Sequence, residues 1–107
     1  MMEARIVLST IADKELGESL LTQLVSEGLI ACGNLVAAGV SIYQWEGKIE
    51  KTDECLLILK TQLKSLEKLE EQFHLIHPYE VPEFVVLTPE SISSPYLRWL
   101  LANSNGC

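Results

Sequence analysis

Residues 54–61, Glu-Cys-Leu-Leu-Ile-Leu-Lys-Thr, set an unbroken apolar stretch between a glutamate and a lysine. The run is short for a helix and long enough for a strand buried on both faces. What lies on either side decides how that strand is used. Upstream, the polar run Glu50–Asp53 reads as a turn, preceded by a long extended stretch from about Ile30 to Glu50 in which Ser41, Tyr43 and Trp45 alternate as one face of a strand would. Gly39 and Gly47 inside that stretch read as bends or bulges rather than ends. Downstream, Leu63, Leu66, Leu69, Phe73 and Ile76 recur at helical spacing and predict a helix over 63–76, stopped by Pro78.

Working outward, Ala4–Thr10 reads as a β-branched strand, and Asp13 is placed to cap the helix after it. Leu16, Leu20, Leu21, Leu24 and Val25 make that helix's apolar face, and Gly28 ends it. Toward the C-terminus, Pro82 keeps the chain extended into a last strand at Phe84–Leu87. Ser93 or Ser94 then caps a short helix carrying Tyr96, Leu97, Trp99, Leu100 and Leu101, and residues 103–107 read as a frayed tail. The order is β-α-β-β-α-β plus a terminal helix, an α+β chain of the ferredoxin-like split β-α-β type filling residues 1–107 as one domain. Two helices cover one face of such a sheet. A partner subunit is the economical cover for the other.

At 107 residues the chain buries only about two-thirds of its unfolded surface, which also favours assembly. A net charge of −7 repels phosphate backbones, so nucleic acid is not an expected partner, and it draws cations without specificity. No apolar run reaches the roughly 18 residues of a membrane span, and residues 1–12 lack the pattern of a signal peptide, so a cytoplasmic protein with no membrane partner is expected. Cys32, Cys55 and Cys107 are odd in number and widely spaced, a poor framework for disulfides or a zinc site.

The common catalytic and phosphate-binding motifs do not occur, and the chain is not expected to be an enzyme. Its two histidines, His74 and His77, stand three apart near a helix end, close enough to share a face. In His77-Pro78-Tyr79-Glu80-Val81-Pro82 the prolines stiffen the backbone around polar groups; His77 and Glu80 serve there as metal ligands or an acid–base couple, or else His77 simply hydrogen-bonds backbone beside a helix stop. Cys32 is either a soft-metal ligand or a small core residue, Cys55 is packing, and Cys107 is an exposed terminal thiol open to metal or oxidation. Tyr43, Trp45 and Glu46 line a ligand pocket or fill a subunit interface.

Five segments, taken in order, carry a resemblance: Ala31-Cys32-Gly33-Asn34; Ser41 to Ile49 (SIYQWEGKI); Leu59-Lys60-Thr61; His77 to Glu83 (HPYEVPE); and Tyr96 to Leu100 (YLRWL). The chain resembles the CutA family over about Ile6 to Leu101. That resemblance implies a homotrimer of ferredoxin-like protomers, similar in architecture to the PII signalling proteins, linked to divalent-cation tolerance and to copper. It implies a divalent metal, Cu or Zn, rather than an organic cofactor, with His77, Glu80 and Cys32 as candidate ligands. Tyr43, Trp45, Glu46, Lys60 and Tyr79 are the corresponding candidates for an intersubunit cleft. The alternative it leaves open is a PII-like small-molecule sensor or signalling scaffold. Ser9 stands where some bacterial members carry a first-strand cysteine, and Ile76 where they carry a second histidine. Ala37-Ala38 replaces the family's usual Pro-Gly, and Gly33 stands where an aliphatic residue is common.

Overall fold

In the computed structural model, which describes residues 3–106, the chain runs Ala4–Ile11 (β1), Lys14–Ser26 (α1), Cys32–Trp45 (β2), Lys48–Gln62 (β3), a 3-10 turn at Leu63–Ser65, Leu66–Ile76 (α2), Val85–Leu87 (β4) and Ser94–Asn103 (α3). The strands form one sheet in the order β2-β3-β1-β4, every neighbour antiparallel. β1 and β2 therefore run the same way with β3 between them, the split β-α-β order anticipated above. Among the described residues no helix is long and apolar enough to cross a membrane.

α1 and α2 cover one face. Leu20, Leu21 and Leu24 of α1 and Leu69 and Phe73 of α2 pack on Val7, Ile11, Cys55, Leu57 and Leu59. Asp13 caps α1 as expected, its carboxylate accepting from Leu16 N–H at 3.0 Å. Leu16 and Val25 lie outside the buried stripe, half-exposed, because Gly17 takes the place against the sheet; there even a Cβ would meet Leu35 and Ile11 side chains. Leu63, also expected in a buried stripe, is likewise exposed, since α2 proper begins three residues later, after the 3-10 turn. Ser93 is the N-cap of α3, but its side chain makes no capping bond.

The strand at 54–61 is not buried on both faces. Cys55, Leu57, Leu59 and Thr61 face the helices and are buried, whereas Leu56, Ile58 and Lys60 face away and stay partly open. Register places Leu56 beside Val36 and Thr10, and Ile58 beside Leu8 and Asn34. α3 covers one end of this second face: Leu100 packs with Ala4 and Ala31, and Gln62 Nε2 donates to the Leu101 carbonyl at 2.7 Å. Val36, Leu56, Val85 and Leu87 remain exposed on the rest of it.

Two further expectations are corrected. Glu50–Asp53 is not a turn; it pairs with Val40–Tyr43 inside a long hairpin. The reversal falls at Glu46-Gly47, both in the left-handed region (φ 50 and 79°), which is the two-residue geometry that suits a twisted hairpin. Gly39 does mark a bulge, where the β2–β3 register jumps between Val36 and Gly39 and Ala38 takes φ 64°. Residues 103–106, expected to fray, are held. Ser104 is buried, Ser65 Oγ donates to its carbonyl, and Gly106 N–H donates to the Gly28 carbonyl at 2.9 Å. Cys107 lies outside the described residues.

Beyond Cys55, β3 pairs only with β2, because the β1–β3 ladder ends at Ile11↔Cys55. Residues 40–53 are thus a two-stranded arm that draws the molecule out to 44 × 27 × 23 Å. The arm exposes Val40, Ile42, Trp45 and Ile49, the last at 72%.

Candidate functional site

Where the arm leaves the sheet, the loop after α2 passes underneath it. α2 stops at His77, whose backbone turns extended ahead of Pro78 (ψ 136°) while its N–H still reaches the Phe73 carbonyl at 2.9 Å. The following loop is pinned to β1 at both ends. His77 Nε2 lies 2.8 Å from the Thr10 carbonyl, and Ser9 Oγ donates to the Glu83 carbonyl at 2.6 Å.

Tyr79 N–H donates to His77 Nδ1 at 3.1 Å, which makes Nδ1 an acceptor and puts the ring hydrogen on Nε2, where it is donated to Thr10. The ring is buried against Phe73 and Tyr79, with centroids 5.1 and 4.6 Å away. Burial lowers its pKa below 6.5; the Thr10 carbonyl and the Glu54 charge oppose that, and His74 adds to it. His77 is therefore neutral at pH 7, with both nitrogens engaged. His74 sits on the solvent side of α2, its Nδ1 2.9 Å from the Glu70 carbonyl.

Tyr79 reaches up from the loop to β3, where its hydroxyl donates to Glu54 Oε2. Burial first, then this bond and the Glu54 charge, raise the tyrosine's pKa well above its usual 10. Glu54 itself is only 8% exposed. Above it opens a groove of about 740 Å³, walled by Tyr43 and Trp45 of the arm and by Tyr79 and Glu80 of the loop. Tyr43 is steadied by a 2.9 Å hydrogen bond between its hydroxyl and Thr52 Oγ1 on the opposite arm strand. Glu50 and Glu83 complete a lining with four carboxylates and no lysine, arginine or histidine. Among the described residues no set of three or more His, Cys, Asp or Glu side chains is disposed to hold a metal ion.

Tyr43, Trp45, Tyr79 and Glu80 are thus brought together, with His77 directly behind Tyr79. Three other candidates lie elsewhere. Glu46 occupies the arm's tip, away from the groove lining. Cys32 and Lys60 face each other across β2 and β3, six residues and about 20 Å along the strand from Glu54. There Lys60 Nζ donates to Asn34 Oδ1 at 2.7 Å, and the Cys32 thiol lies 3.9 Å from the same oxygen. Cys55 is buried packing in the core.

Glu54 is the groove residue that reading from sequence passes over. Its signal is a carboxylate opening an apolar strand run, where a buried charge needs a partner. Its partner, Tyr79, stands 25 positions away, so spacing does not reveal the pair.

Comparison with known proteins agrees with this architecture. A family model described as CutA1 divalent ion tolerance protein matches residues 5–103. The divalent-cation tolerance protein CutA of Thermus thermophilus is 38% identical over 99 residues, 92% of this chain and 96% of the relative. The chloroplastic protein CutA of Arabidopsis thaliana is 41% identical over 89% of this chain, which spans only 52% of that relative. The Thermus thermophilus structure superposes with a TM-score of 0.91, covering 94% of this chain and 98% of that one. CutA from Synechococcus elongatus superposes at 0.93 with 31% identity, covering 97% and 92%. The chain belongs to the CutA1 divalent-ion tolerance family.

Proposed function

We propose that this chain works in divalent-cation tolerance as a cytoplasmic homotrimer that binds divalent cations, and that its role is binding rather than catalysis. The carrying observation is the groove at the base of the arm, with four carboxylates and no basic side chain in its lining. Carboxylate oxygens suit a hard or borderline divalent ion such as Zn(II), with Cu(II) the family's associated metal. Glu54, held by Tyr79, and Glu80, on the loop itself, supply oxygen donors there. His77 would join them only by giving up one of its two ring hydrogen bonds, and Cys32 stands apart beside the ammonium of Lys60. Calorimetric titration of metal-free protein with Zn(II) and Cu(II) tests the reading. Glu80→Gln and Glu54→Gln weaken binding and Cys32→Ser leaves it unchanged; an isotherm unaltered in both glutamate variants overturns the assignment to this groove.

Trimerisation is supported by the arm and the uncovered sheet face. A two-stranded ribbon is marginal alone in water, and this one exposes Val40, Ile42, Trp45 and Ile49. Packing against neighbouring copies, together with Val36 and Leu56, would bury those surfaces. Sedimentation equilibrium checks it: trimer mass for the native chain, and dissociation for Leu56→Asp.

A second reading, a PII-like sensor or scaffold that takes a small molecule, is favoured by the groove's size and by the rings of Tyr43, Trp45 and Tyr79 in its walls. A rise in melting temperature with a bound metabolite would support it.

A further inference from the structure

We propose that Asn105-Gly106 is a self-modification site held in check by the tail anchor: Asn105 is converted to aspartate or isoaspartate by the Gly106 backbone nitrogen once that nitrogen leaves the Gly28 carbonyl.

The chemistry needs an asparagine carboxamide and a following backbone nitrogen that nothing crowds. An Asn-Gly pair supplies both, because glycine has no Cβ to obstruct the approach of its nitrogen to the side-chain carbon. Of the three asparagines, Asn34 is followed by Leu35 and Asn103 by Ser104; only Asn105 is followed by glycine. In the first step Gly106 N loses its proton to base and bonds to Asn105 Cγ. The Cγ–Nδ2 bond breaks, and ammonia leaves after taking a proton from water. Water then opens the five-membered imide at one of its two carbonyls. Opening at Cγ leaves aspartate in the ordinary main chain; opening at the backbone carbonyl leaves isoaspartate, with the main chain rerouted through the side chain. Water is the only other reactant, and nothing is oxidised or reduced.

The fold both restrains the nucleophile and keeps the glycine. Gly106 N–H donates to the Gly28 carbonyl at 2.9 Å, so the docked tail holds that nitrogen in a hydrogen bond. No residue with a side chain fits in its place, since a Cβ there would land on the Glu27 carbonyl oxygen and against Gly28 backbone. The packing that anchors the tail therefore requires the most labile asparagine sequence in the chain. These contacts lie within one chain, at the end of α1 and ahead of β2, and so at the far end of β2 from the arm.

Conversion also works against redocking. Either product puts a carboxylate beside Gly106, close to the carbonyl end of α1, where the helix dipole disfavours negative charge. Isoaspartate further adds one atom to the main chain ahead of Gly106 and takes its N–H out of register with Gly28. The docked tail thus acts as a one-way timer, paced by how often Gly106 leaves Gly28.

The test follows the full chain in its assembled form at mildly alkaline pH. Fragmentation mass spectrometry reads amide-to-acid conversion at each asparagine and separates aspartate from isoaspartate. In the urea-unfolded chain Asn105 is expected to convert well before Asn34 and Asn103. In the native protein it converts about fivefold more slowly than in urea, the protection that one net hydrogen bond gives against local opening. Gly28→Ala sets a Cβ 3.1 Å from Gly106 Cα at a residue with φ 72°, which loosens the anchor and brings the rate close to the unfolded value. Asn105→Asp needs no ageing and tests the product directly: exchange at amide 106 rises severalfold while α3 stays slow. The proposal is overturned if Asn105 converts equally fast folded and unfolded, or if Asn34 or Asn103 matches it in urea. It is equally overturned if Gly28→Ala keeps the native rate, or if Asn105→Asp leaves amide 106 as protected as before.

Discussion

The Tyr79 hydroxyl donates to Glu54, so a loop residue after α2 holds a carboxylate that β3 carries into a nearly buried position. A buried carboxylate that loses its donor bears the desolvation cost uncompensated. Tyr79→Phe is therefore expected to lower stability by about 1–3 kcal/mol. In urea unfolding the midpoint should fall with an unchanged slope. The same bond has an alkaline signature. The folded tyrosine's pKa is raised above its unfolded value, so its contribution is complete below about pH 10 and is lost as pH rises beyond that. Native protein should lose stability there more steeply than Tyr79→Phe; equal alkaline slopes would contradict the assignment.

His77 titrates in the opposite sense. Its folded pKa lies below the unfolded value of about 6.5, so the unfolded chain binds the proton more readily. The stability it contributes is complete above pH 6.5 and is lost as pH falls through the window between that value and the lowered one. Protonation also places a hydrogen on Nδ1, facing the Tyr79 N–H that it now accepts from. His77→Gln should cost about 1–3 kcal/mol at pH 7.5. Its melting temperature should then fall less than the native protein's between pH 6.5 and 5. Parallel declines would show that the acid sensitivity resides in the carboxylates instead.

How far these relations are visible in sequence depends on how local their causes are. The helix at 14–26 is legible because Asp13, the leucine spacing and Gly28 act within a few residues of one another. β3 is legible as a strand, but not its length. Glu50–Asp53 is polar and mostly uncovered by the rest of the chain, and polarity without burial reads as a turn. The true reversal carries a local signal in Gly47, whose φ of 79° few side chains tolerate. The site is less legible. His77-Pro78-Tyr79 declares itself as rigid, yet what it touches, Thr10 and Glu54, comes from strands placed by the whole sheet.

Ser9 shows how that placement is kept. Its fully buried hydroxyl donates to the Glu83 carbonyl, the far anchor of the loop whose near anchor is His77. Ser9→Ala removes the donor and should cost about 1 kcal/mol globally. The more telling change is local: amide exchange over 79–83 should accelerate by more than the global loss accounts for, because one end of the loop is freed. Ser9→Thr keeps the hydroxyl and separates loss of the bond from a change of volume. Unchanged loop exchange in Ser9→Ala would show that the prolines and the His77 anchor hold the segment without it.

Gly106 offers the sharpest test of the C-terminal anchoring. Its N–H donates to Gly28, and it passes so close to the end of α1 that an added Cβ would land on the Glu27 carbonyl oxygen and against Gly28 backbone. Backbone atoms on both sides leave no flexible side chain to yield. Gly106→Ala must therefore release the tail rather than adjust it. The chain bond to Gly28 is lost, but the Gln62, Ser65 and Ser104 cluster, whose Ser104 lies just before it in the chain, stays intact. The expected cost is about 1 kcal/mol, one hydrogen bond's net worth. Exchange at amide 106 should rise to that of an open chain, and exchange in α3 should stay slow. If α3 loosened as well, the anchoring would run through Gly106 rather than through Ser104, which is the reverse of what the buried hydroxyl cluster implies.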